Sequence, residues 1–600
     1  MFKELEQLYR AKGEETRATA HAAKRQAAGV AHALPHKRHG LQYRPFQPGP
    51  IAPMLRLTEI KLPLDHAAEE LPAAICQRLG IKAKDLLEVS IYRRGYDARR
   101  RNRILLVYTV DVSVANEAAV AKRCAGDRHV GPTPDMAYKF VCQAPEGLQE
   151  RPVVIGMGPC GLFAGLMLAQ MGFKPIILER GKTVRERTKD TWGLWRQSKL
   201  NPESNVQFGE GGAGTFSDGK LHTQIKDPKF HGRKVLTEFV KAGAPEEILY
   251  VSKPHIGTFR LVGMVEKMRG NIEALGGEIR FQSRVADFDI ANGQIRGVIL
   301  ADGSRIDTRH VVLAVGHSAR DTFKALYDRG VYVEAKPFSV GVRIEHPQSL
   351  IDSARLGPNA GHPILGAADY KLVHHASNGR AAYSFCMCPG GTVVAATSEE
   401  NRVVTNGMSQ YSRNERNANS GIVVSISPEK DYPGHPLAGI DFQRYWESRA
   451  FEAGGGTYAA PAQRVGDFLA GRPSTACGSV EPSYKPGVRW TDLSQCLPDF
   501  VVEALREALP AFAKQIKGFA MDDAVMTAIE TRTSSPIRIK RGDDFQSINT
   551  RGLFPAGEGA GYAGGILSAG VDGIKVAEAV ALDMLGQRAS GGSRGESTEW

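Results

Sequence analysis

This 600-residue sequence lacks the cysteine motifs of dithiol and zinc sites and a recognisable secretory signal peptide. Its eight cysteines include no CxxC pair, and no group of cysteines and histidines has the spacing of a zinc site, so we expect no metal. No secretory signal peptide is recognisable, and scattered cysteines without a disulfide framework are typical of reducing compartments. We therefore expect a cytoplasmic protein with free thiols.

A long hydrophobic segment is present, but it lacks the character of a membrane span. Residues 153–173 form a run of 21 residues without a charge, which is long enough to cross a bilayer. Five glycines and one proline divide this run into a short strand, a turn and a helix of about 13 residues. Such a helix is too short to cross a bilayer, so we predict no transmembrane segment.

The turn in this run is a dinucleotide-binding fingerprint, Gly156-Met-Gly158-Pro159-Cys-Gly161. A β-type run precedes it and a helical run follows, which is the context the fingerprint requires. Gly156 permits the tight turn, Gly158 lets a pyrophosphate approach the backbone, and Gly161 lets helix and strand pack closely. The helix that begins at Pro159 then offers N–H donors and the positive end of its dipole to the phosphates.

An acidic residue follows the next strand, as the fingerprint predicts. The strand covers residues 175–178 and ends at Glu179, 18 residues after Gly161. Its carboxylate can accept both hydroxyls of an adenosine ribose, and it disfavours the 2′-phosphate of NADP. Arg180, the next residue, weakens that second argument because it could pair with such a phosphate.

Two later segments favour FAD over NAD. Residues 309–316 predict a strand that ends in Ala314-Val-Gly316, and residues 552–565 predict a strand and a turn that holds Gly557-Glu558. A helix follows Gly565 to about residue 580, and its N-terminus would stabilise a reduced, anionic flavin. No second Gly-x-Gly-x-x-Gly is followed by a helix and then a strand that ends at an acidic residue, so we expect no embedded NAD(P)H domain.

With these segments the sequence resembles the glutathione-reductase-like superfamily of FAD/NAD(P)-binding proteins. Residues 205–221, 336–347 and 384–391 further resemble a bacterial group of FAD-utilizing dehydrogenases to which no substrate is assigned. The resemblance covers about residues 54–585. It implies FAD as the cofactor, and it implies that Glu558 stands where the family has an aspartate beside the ribityl chain and pyrophosphate.

The predicted fold is α/β, with a discontinuous Rossmann-like FAD-binding domain, an inserted α+β substrate or cap domain, and a small N-terminal α/β unit. Short strands, Gly-rich turns and helices alternate up to about residue 320, stop, and resume near residue 550, which indicates the insertion. The predicted segments are a basic, disordered extension at 1–52, a small ferredoxin-like α/β domain at 53–145, the FAD-binding domain at 150–320 plus 546–586, the cap domain at 321–545, and a disordered tail at 587–600.

A Gly-dense loop at residues 209–219 follows the second strand, where close backbone approach to the flavin is expected. The alternative is a flexible surface loop. The residues predicted to bind FAD are Gly156, Gly158, Pro159, Gly161, Glu179, Arg180, Gly211, Gly212, Gly214, Thr215, Ser217, Val285, Ala314, Gly316, Gly557, Glu558, Gly565 and Ile566.

No catalytic residue is identified by the pattern alone, and His317, Arg343, Cys386 and Cys388 are weak candidates. The two cysteines are two positions apart and would share one face of a strand. We interpret them as small packing residues, with a redox pair near the flavin as the alternative.

The net charge of +12 suits anionic ligands as well as nucleic acid, so it does not identify the binding partner. Residues 93–103 hold six arginines, and we interpret this segment as a solvated hairpin loop, with contact to an anion or to RNA as the alternative.

The protein is predicted to be an FAD-dependent oxidoreductase in which hydride is transferred at N5 of the flavin. A small-molecule substrate and a transient electron donor, such as NAD(P)H, are the expected partners. The alternatives are a flavin-dependent RNA-modifying enzyme and a non-catalytic flavin-binding protein.

Overall fold

The computed structural model describes residues 42–43, 54–221, 223 and 225–587. The predicted extension at 1–52, apart from 42–43, and the predicted tail from residue 588 onwards lie outside the described residues. The chain is a mixed α/β protein, as predicted, and it divides into two compact units. The finer domain boundaries stay predictions. Within the described ranges, every helix is too short or too polar to cross a membrane.

The first unit comprises the residues up to 135 together with 249–252. Its sheet has the spatial order β1-β3-β4-β2-β5, and strands β2 to β5 pair in antiparallel fashion. Helix α1 contributes Leu71, Ile75 and Leu79, spaced by four, to the core. Its elements are β1 (Gln42–Tyr43), β2 (Leu55–Pro63), α1 (Glu70–Leu79), β3 (Leu86–Asp97), β4 (Leu105–Val114), α2 (Glu117–Arg123) and β5 (Val130–Pro132).

The second unit comprises residues 136–248 and those from 253 onwards. Its strands are β6 (Val153–Ile155), β7 (Ile176–Leu178), β8 (Glu278–Arg280), β9 (Val285–Ala291), β10 (Gln294–Leu300), β11 (Arg305–Asp307), β12 (Val311–Leu313), β13 (Val333–Ala335), β14 (Phe338–Pro347), β15 (Val373–His375), β16 (Ala381–Ala395), β17 (Thr405–Ser409), β18 (Asn417–Ile426), β19 (Ala460–Arg464), β20 (Val488–Trp490), β21 (Val525–Glu530), β22 (Ile537–Ile539) and β23 (Leu553–Pro555). Its helices are α3 (Pro159–Gln170), α4 (Val184–Gln197), α5 (His231–Lys241), α6 (Thr258–Ala274), α7 (Arg320–Asp328), α8 (Gln348–Leu356), α9 (Pro428–Asp431), α10 (Ala438–Ala453), α11 (Val465–Leu469), α12 (Asp499–Gln515) and α13 (Ile566–Met584).

A parallel sheet with the order β23-β12-β6-β7-β8 forms the base of this unit. Every residue of β6, β7 and β12 is buried, as expected for a sheet that is covered on both faces. From β6 the chain adds strands in one direction as far as β8, and then adds β12 and β23 on the other side. The strand order therefore reverses between β6 and β12, which places a crevice at their carboxyl ends.

Helices α3 and α13 pack closely on each other beside this sheet. A methyl group added at Gly573 of α13 would lie 2.3 Å from the carbonyl oxygen of Cys160 in α3. Small residues at the contact thus let the two helix backbones approach. Helix α13 continues to Met584, four residues beyond the predicted end, because its buried face continues through Ala581.

A larger sheet occupies the middle of the chain, with the order β15-β16-β18-β14-β21-β19-β20 and with β17 paired to β16. Strand β14 is buried along most of its length and pairs with β18 and β21. Three polar side chains of β14, Arg343, Glu345 and His346, are fully buried. The interior of this sheet therefore holds ionic contacts as well as apolar packing.

Candidate cofactor site

The fingerprint turn connects β6 to α3, and the protein itself requires two of its glycines. Gly156 has a φ of 98°, and a methyl group there would lie 2.4 Å from the carbonyl oxygen of Ala314, just after β12. A methyl group at Gly161 would lie 1.9 Å from the Gly156 carbonyl oxygen. These two positions therefore let α3, β6 and β12 come together.

Gly158 differs, because its neighbours in the protein leave room for a side chain. The atom closest to an added methyl group is the Cα of Gly212, at 3.7 Å, which is an ordinary contact distance. Gly158 is the N-cap of α3, and Pro159 takes the first helical position. The first turn of α3 leaves N–H groups without intrahelical acceptors, at the position where the fingerprint predicts a pyrophosphate.

Glu179, directly after β7, joins the surrounding loops by three hydrogen bonds. Its buried carboxylate accepts the N–H groups of Met157 at 2.9 Å, Gly181 at 2.8 Å and Gly209 at 3.0 Å. A carboxylate has about four acceptor positions, so one remains for a ribose hydroxyl. Binding of both ribose hydroxyls, as the sequence predicts, would displace one of the backbone bonds.

Replacing Glu179 with alanine should weaken FAD binding by roughly 1–3 kcal/mol, because the ribose contact is lost and three buried N–H groups lose their acceptor. Titration of apoprotein with FAD, followed by flavin fluorescence, measures the change. Glu273→Ala is the matched control, since that carboxylate is exposed on α6. Unchanged FAD affinity in the Glu179 variant would refute the assigned role.

Two other predicted FAD contacts are engaged within the protein. Arg180 forms ion pairs with Glu203 at 3.0 Å and with Asp321 at 2.9 Å. Val285 begins β9 and is buried in a hydrophobic cluster. Contact of these two residues with FAD stays a prediction.

The Gly-rich loop folds over the fingerprint turn, because Gly212 packs directly on Gly158. The Gly211 N–H donates to the carbonyl of Met157 at 2.8 Å. The hydroxyl of Thr215 is buried, and no described residue hydrogen-bonds to it. Leaving such a group unpaired costs about 1–3 kcal/mol, so the hydroxyl is suited to an oxygen of a bound cofactor.

Arg187 of α4 holds the start of this loop from inside the protein. Its buried guanidinium donates to the carbonyl oxygens of residues 205, 206, 209 and 210 at 2.7–3.2 Å. Burial lowers the pKa of Arg187 to about 10.

Further along the loop, the Ser217 hydroxyl donates to the Gly214 carbonyl at 2.7 Å and accepts the Gly219 N–H at 3.0 Å. Ser217 thus stabilises the loop rather than leaving its hydroxyl free.

Three loops meet in front of α13. Gly316, after β12, lies against Gly559, where an added methyl group would be 2.5 Å from the Gly316 carbonyl oxygen. Gly214 of the Gly-rich loop lies against Ile566, the first residue of α13, at a contact distance of 3.1 Å for an added methyl group. Gly565 precedes that residue as the N-cap. The positive end of α13 therefore faces the crevice of the parallel sheet.

The turn after β23 contains Glu558 and is also held by the carboxylate of Asp572, which lies outside the sequence motif. The Gly557 N–H donates to Asp572 of α13 at 2.7 Å, and Asp572 also pairs with Arg541 at 2.6 Å. Glu558, the residue predicted to contact the cofactor, accepts the N–H of Ser535 at 3.1 Å. Burial raises the pKa of Glu558.

The groups that converge here fit FAD. The N–H groups of the first turn of α3 and the unpaired Thr215 hydroxyl suit the oxygens of a pyrophosphate. The remaining acceptor position of Glu179 suits a ribose hydroxyl, and the N-terminus of α13 suits the electron-rich edge of a flavin. Gly158 leaves the space between them open, and a larger side chain there would fill it.

His317 follows β12 at the same edge of the sheet. It is half-buried, and its imidazole has no hydrogen bond to any described residue. Burial and the cations of Arg532, Arg320 and Lys336 lower the pKa of His317 to about 3. The imidazole is therefore neutral at physiological pH, and it can donate one hydrogen bond and accept another.

Two of these cations belong to a buried ionic cluster centred on Glu447. Its carboxylate accepts from Arg320 at 2.7 Å, from Arg532 at 3.2 Å and from the Thr531 hydroxyl at 2.8 Å. Arg320 also contacts Glu399 at 2.5 Å. Arg320 and Arg532 thus have carboxylate partners in the protein, and their charges contribute to the positive surroundings of His317.

Arg343, a predicted catalytic candidate, is fully buried and held by protein groups. It makes two hydrogen bonds to Glu530, at 2.7 and 2.9 Å, and further bonds to Asn406 at 3.0 Å and to the Cys386 carbonyl at 2.9 Å. Its position suits orientation of Cys386 rather than contact with a substrate. The cysteines do not lie in a regular strand, since β16 shifts register between Phe385 and Cys388.

Sequence reasoning missed four residues that shape the site: Arg187, Glu447, Arg532 and Asp572. None belongs to a motif, and a buried ionic contact has no signature in the residues next to it. Lys336 begins the segment 336–347, but nothing in the sequence pattern placed it near His317. In the described part of the chain, no group of side chains has the arrangement of a metal site.

Comparison with known proteins agrees with this geometry. The family of FAD-dependent proteins, C-terminal domain-like, matches residues 337–533, and a domain of unknown function, DUF8436, matches residues 54–113. An uncharacterized protein of Clostridium beijerinckii is 48% identical over 525 residues, which cover 87% of this chain and 98% of that protein.

Similarity to solved structures is weak. L-proline dehydrogenase from P. horikoshii is 13% identical with a TM-score of 0.35, over 74% of this chain and 96% of that one. Glycine oxidase from Bacillus cereus is 11% identical with a TM-score of 0.32, over 72% of this chain and 97% of that one. Similarities at this level support no conclusion about function.

The site and the family match together define an FAD-dependent α/β protein, with FAD as the cofactor. More particularly, the chain belongs to the same family as the clostridial protein.

Proposed function

We propose that the protein is an FAD-dependent oxidoreductase whose substrate binds beside His317, in the crevice between the parallel sheet and the larger sheet. One observation carries the proposal. His317 lies at the carboxyl end of β12, close to three cations, and its imidazole has no hydrogen-bond partner among the described residues. An imidazole without a protein partner, next to the crevice where the strand order reverses between β6 and β12, is suited to contact with a ligand.

Bound FAD supplies two-electron acceptor and donor chemistry. The protein contributes orientation and charge. Because His317 is neutral, it acts as a hydrogen-bonding group at pH 7 rather than as a cationic acid. Lys336, Arg320 and Arg532 create a positive field that suits negative charge on the cofactor or on a substrate carboxylate. The finer assignment to the FAD-utilizing dehydrogenases, and NAD(P)H as the electron donor, remain part of this proposal.

The test begins with purified protein, which should be yellow and should release FAD rather than FMN on denaturation. Anaerobic reduction with NADH, NADPH, dithiols, amino acids and hydroxy acids should then bleach the flavin with at least one donor. His317→Phe should slow that reduction by roughly 10- to 100-fold with unchanged FAD content. Glu452→Ala, on the surface of α10, is the control variant.

Two outcomes would contradict the proposal. A flavin that chemical reductants bleach, but that none of these donors reduces, would indicate a non-catalytic flavin-binding protein. Turnover that requires added RNA would instead favour the RNA-modifying enzyme.

A further inference from the structure

Cys386 and Cys388 lie at an irregular point of β16 that brings their side chains together. In a regular strand, residues two apart are separated by about 6.6 Å, whereas a disulfide requires a Cβ separation of about 3.5–4.5 Å. Here the register shifts at this point, and Cys386 has a φ of 43°. The Cys388 thiol turns back and donates to the Cys386 carbonyl, at 3.3 Å. The two thiols influence each other's pKa, so they are neighbours.

The backbone at Cys386 is held in an unfavourable conformation by its surroundings. A left-handed backbone conformation is unfavourable for a residue with a Cβ, because the Cβ approaches the following carbonyl oxygen. The Arg343 guanidinium donates to the Cys386 carbonyl at 2.9 Å and is itself fixed by Glu530. Backbone strain that neighbouring groups impose in this way is concentrated at functional sites.

The surroundings of the pair are polar, unlike those of packing cysteines. Lys220 and Arg343 contribute positive charge near the sulfurs, and Asp218 and Glu530 contribute negative charge. The neighbouring Cys388 thiol, together with the charges of Lys220 and Arg343, holds the pKa of Cys386 well below its usual range. Cys386 is half-buried and Cys388 is buried, so Cys386 is the more accessible of the two residues to an external thiol, and Cys388 is placed to resolve the product.

Hydrogen bonds connect this segment to the loop that covers the fingerprint turn. The Ser409 hydroxyl donates to the carbonyl of Pro389, the residue after Cys388, at 2.8 Å. The Thr258 hydroxyl lies 2.9 Å from the Ser217 carbonyl oxygen and 3.3 Å from that of Ser409. Ser409 and Thr258 therefore link the segment that holds the thiols to the Gly-rich loop.

We propose that Cys386 and Cys388 form a redox pair that exchanges two electrons with bound FAD, a role that rests on the oxidoreductase function proposed above. In the oxidising direction both S–H bonds break and one S–S bond forms. The two electrons and two protons pass to oxidised FAD, which becomes FADH2. Thiol–disulfide exchange with an external dithiol then restores the two thiols and leaves that dithiol as a disulfide. The substrate class is therefore dithiols or, in the reverse direction, disulfides.

Anaerobic titration of air-oxidised holoprotein with dithionite tests the proposal by counting electrons. A flavin and a disulfide each take two electrons, so the wild type should take up about four per FAD and Cys386→Ser about two. Cys477→Ser, which removes an exposed thiol elsewhere in the same unit, should take up about four. Alkylation and mass analysis give a second measurement, in which the 386–388 peptide should gain two labels only after reduction.

Uptake of about two electrons by the wild type, with both cysteines labelled before reduction, would overturn the proposal and return the pair to a packing role. The labelling of the wild type requires no variant, so it stands even where Cys386→Ser fails to fold. If the proposed oxidoreductase function is wrong, none of the physiological donors will reduce the flavin, but dithionite titration will still give about four electrons per FAD. The two proposals can therefore fail separately.

Discussion

A valine at position 158 should abolish retention of FAD and leave the protein folded. The backbone of Gly158 has a φ of −74° and a ψ of −176°, an extended conformation that valine adopts readily. An added Cβ meets nothing in the protein closer than the Gly212 Cα at 3.7 Å, and Gly158 is the N-cap of α3, where the fingerprint predicts the pyrophosphate. We expect at least about a 100-fold loss of FAD affinity, or about 2.7 kcal/mol.

FAD content after gel filtration, FAD titration of the apoprotein and circular dichroism measure this effect. Gly263→Val is the matched control, because Gly263 is exposed on α6 and nothing lies within 4 Å of an added methyl group. Gly161→Ala should behave differently and damage the fold as well, since its methyl group would lie 1.9 Å from a backbone oxygen. Full FAD content in the Gly158 variant would show that the pyrophosphate lies elsewhere.

Replacing Glu447 with alanine should lower the free energy of unfolding by about 3–5 kcal/mol, because two buried guanidinium groups lose their shared carboxylate. Glu447 is fully buried and is within hydrogen-bonding distance of Arg320 and Arg532. Urea denaturation of the holoprotein measures the loss. Glu452→Ala, five positions along the same helix and exposed, should change stability by no more than about 0.5 kcal/mol. Equal effects of the two substitutions would contradict a structural role for the cluster.

The same cluster gives stability a defined dependence on pH. Arg320 and Arg532 hold the pKa of Glu447 well below its usual range, and Arg444, with Arg320, lowers that of Glu399 to about 2. A lowered pKa in the folded state contributes stability above the pKa of the unfolded state, near 4.3. That contribution is lost as the pH falls below about 4, and Glu447→Ala should therefore show less acid sensitivity than the wild type.

The cofactor turn was predictable because its parts are adjacent in sequence. Strand β6, the glycines, α3 and Glu179 all fall within residues 153–179, so their order and spacing are visible without knowledge of the fold. The strand predicted at 175–178 is observed at Ile176–Leu178. Helix α13 could be predicted for the same reason, because its glycine-rich turn and its apolar residues follow one another directly in the sequence.

The polar cluster beside His317 could not be predicted, because its members come from distant parts of the chain. Residues 320, 399, 447 and 532 meet only after α7, α10 and the strand ends are packed, and an arginine with a buried partner has no local pattern. The irregularity at Cys386 was hidden as well. Alternation within a strand predicts a shared face for residues two apart, but it says nothing about where the register shifts.

The separation of β6 from β23 along the chain has a consequence for biosynthesis. Strand β12 pairs with β6 on one side and with β23 on the other, and α13 follows β23. A nascent chain that has left the ribosome only as far as residue 540 has made the fingerprint turn but neither β23 nor α13. At roughly 5–20 residues per second, at least about 20 s pass between synthesis of residue 155 and of residue 553. From the synthesis of β12 until that of β23, the edge of β12 opposite β6 has no strand partner, so this step is where a chaperone would be needed and where FAD could not yet be captured.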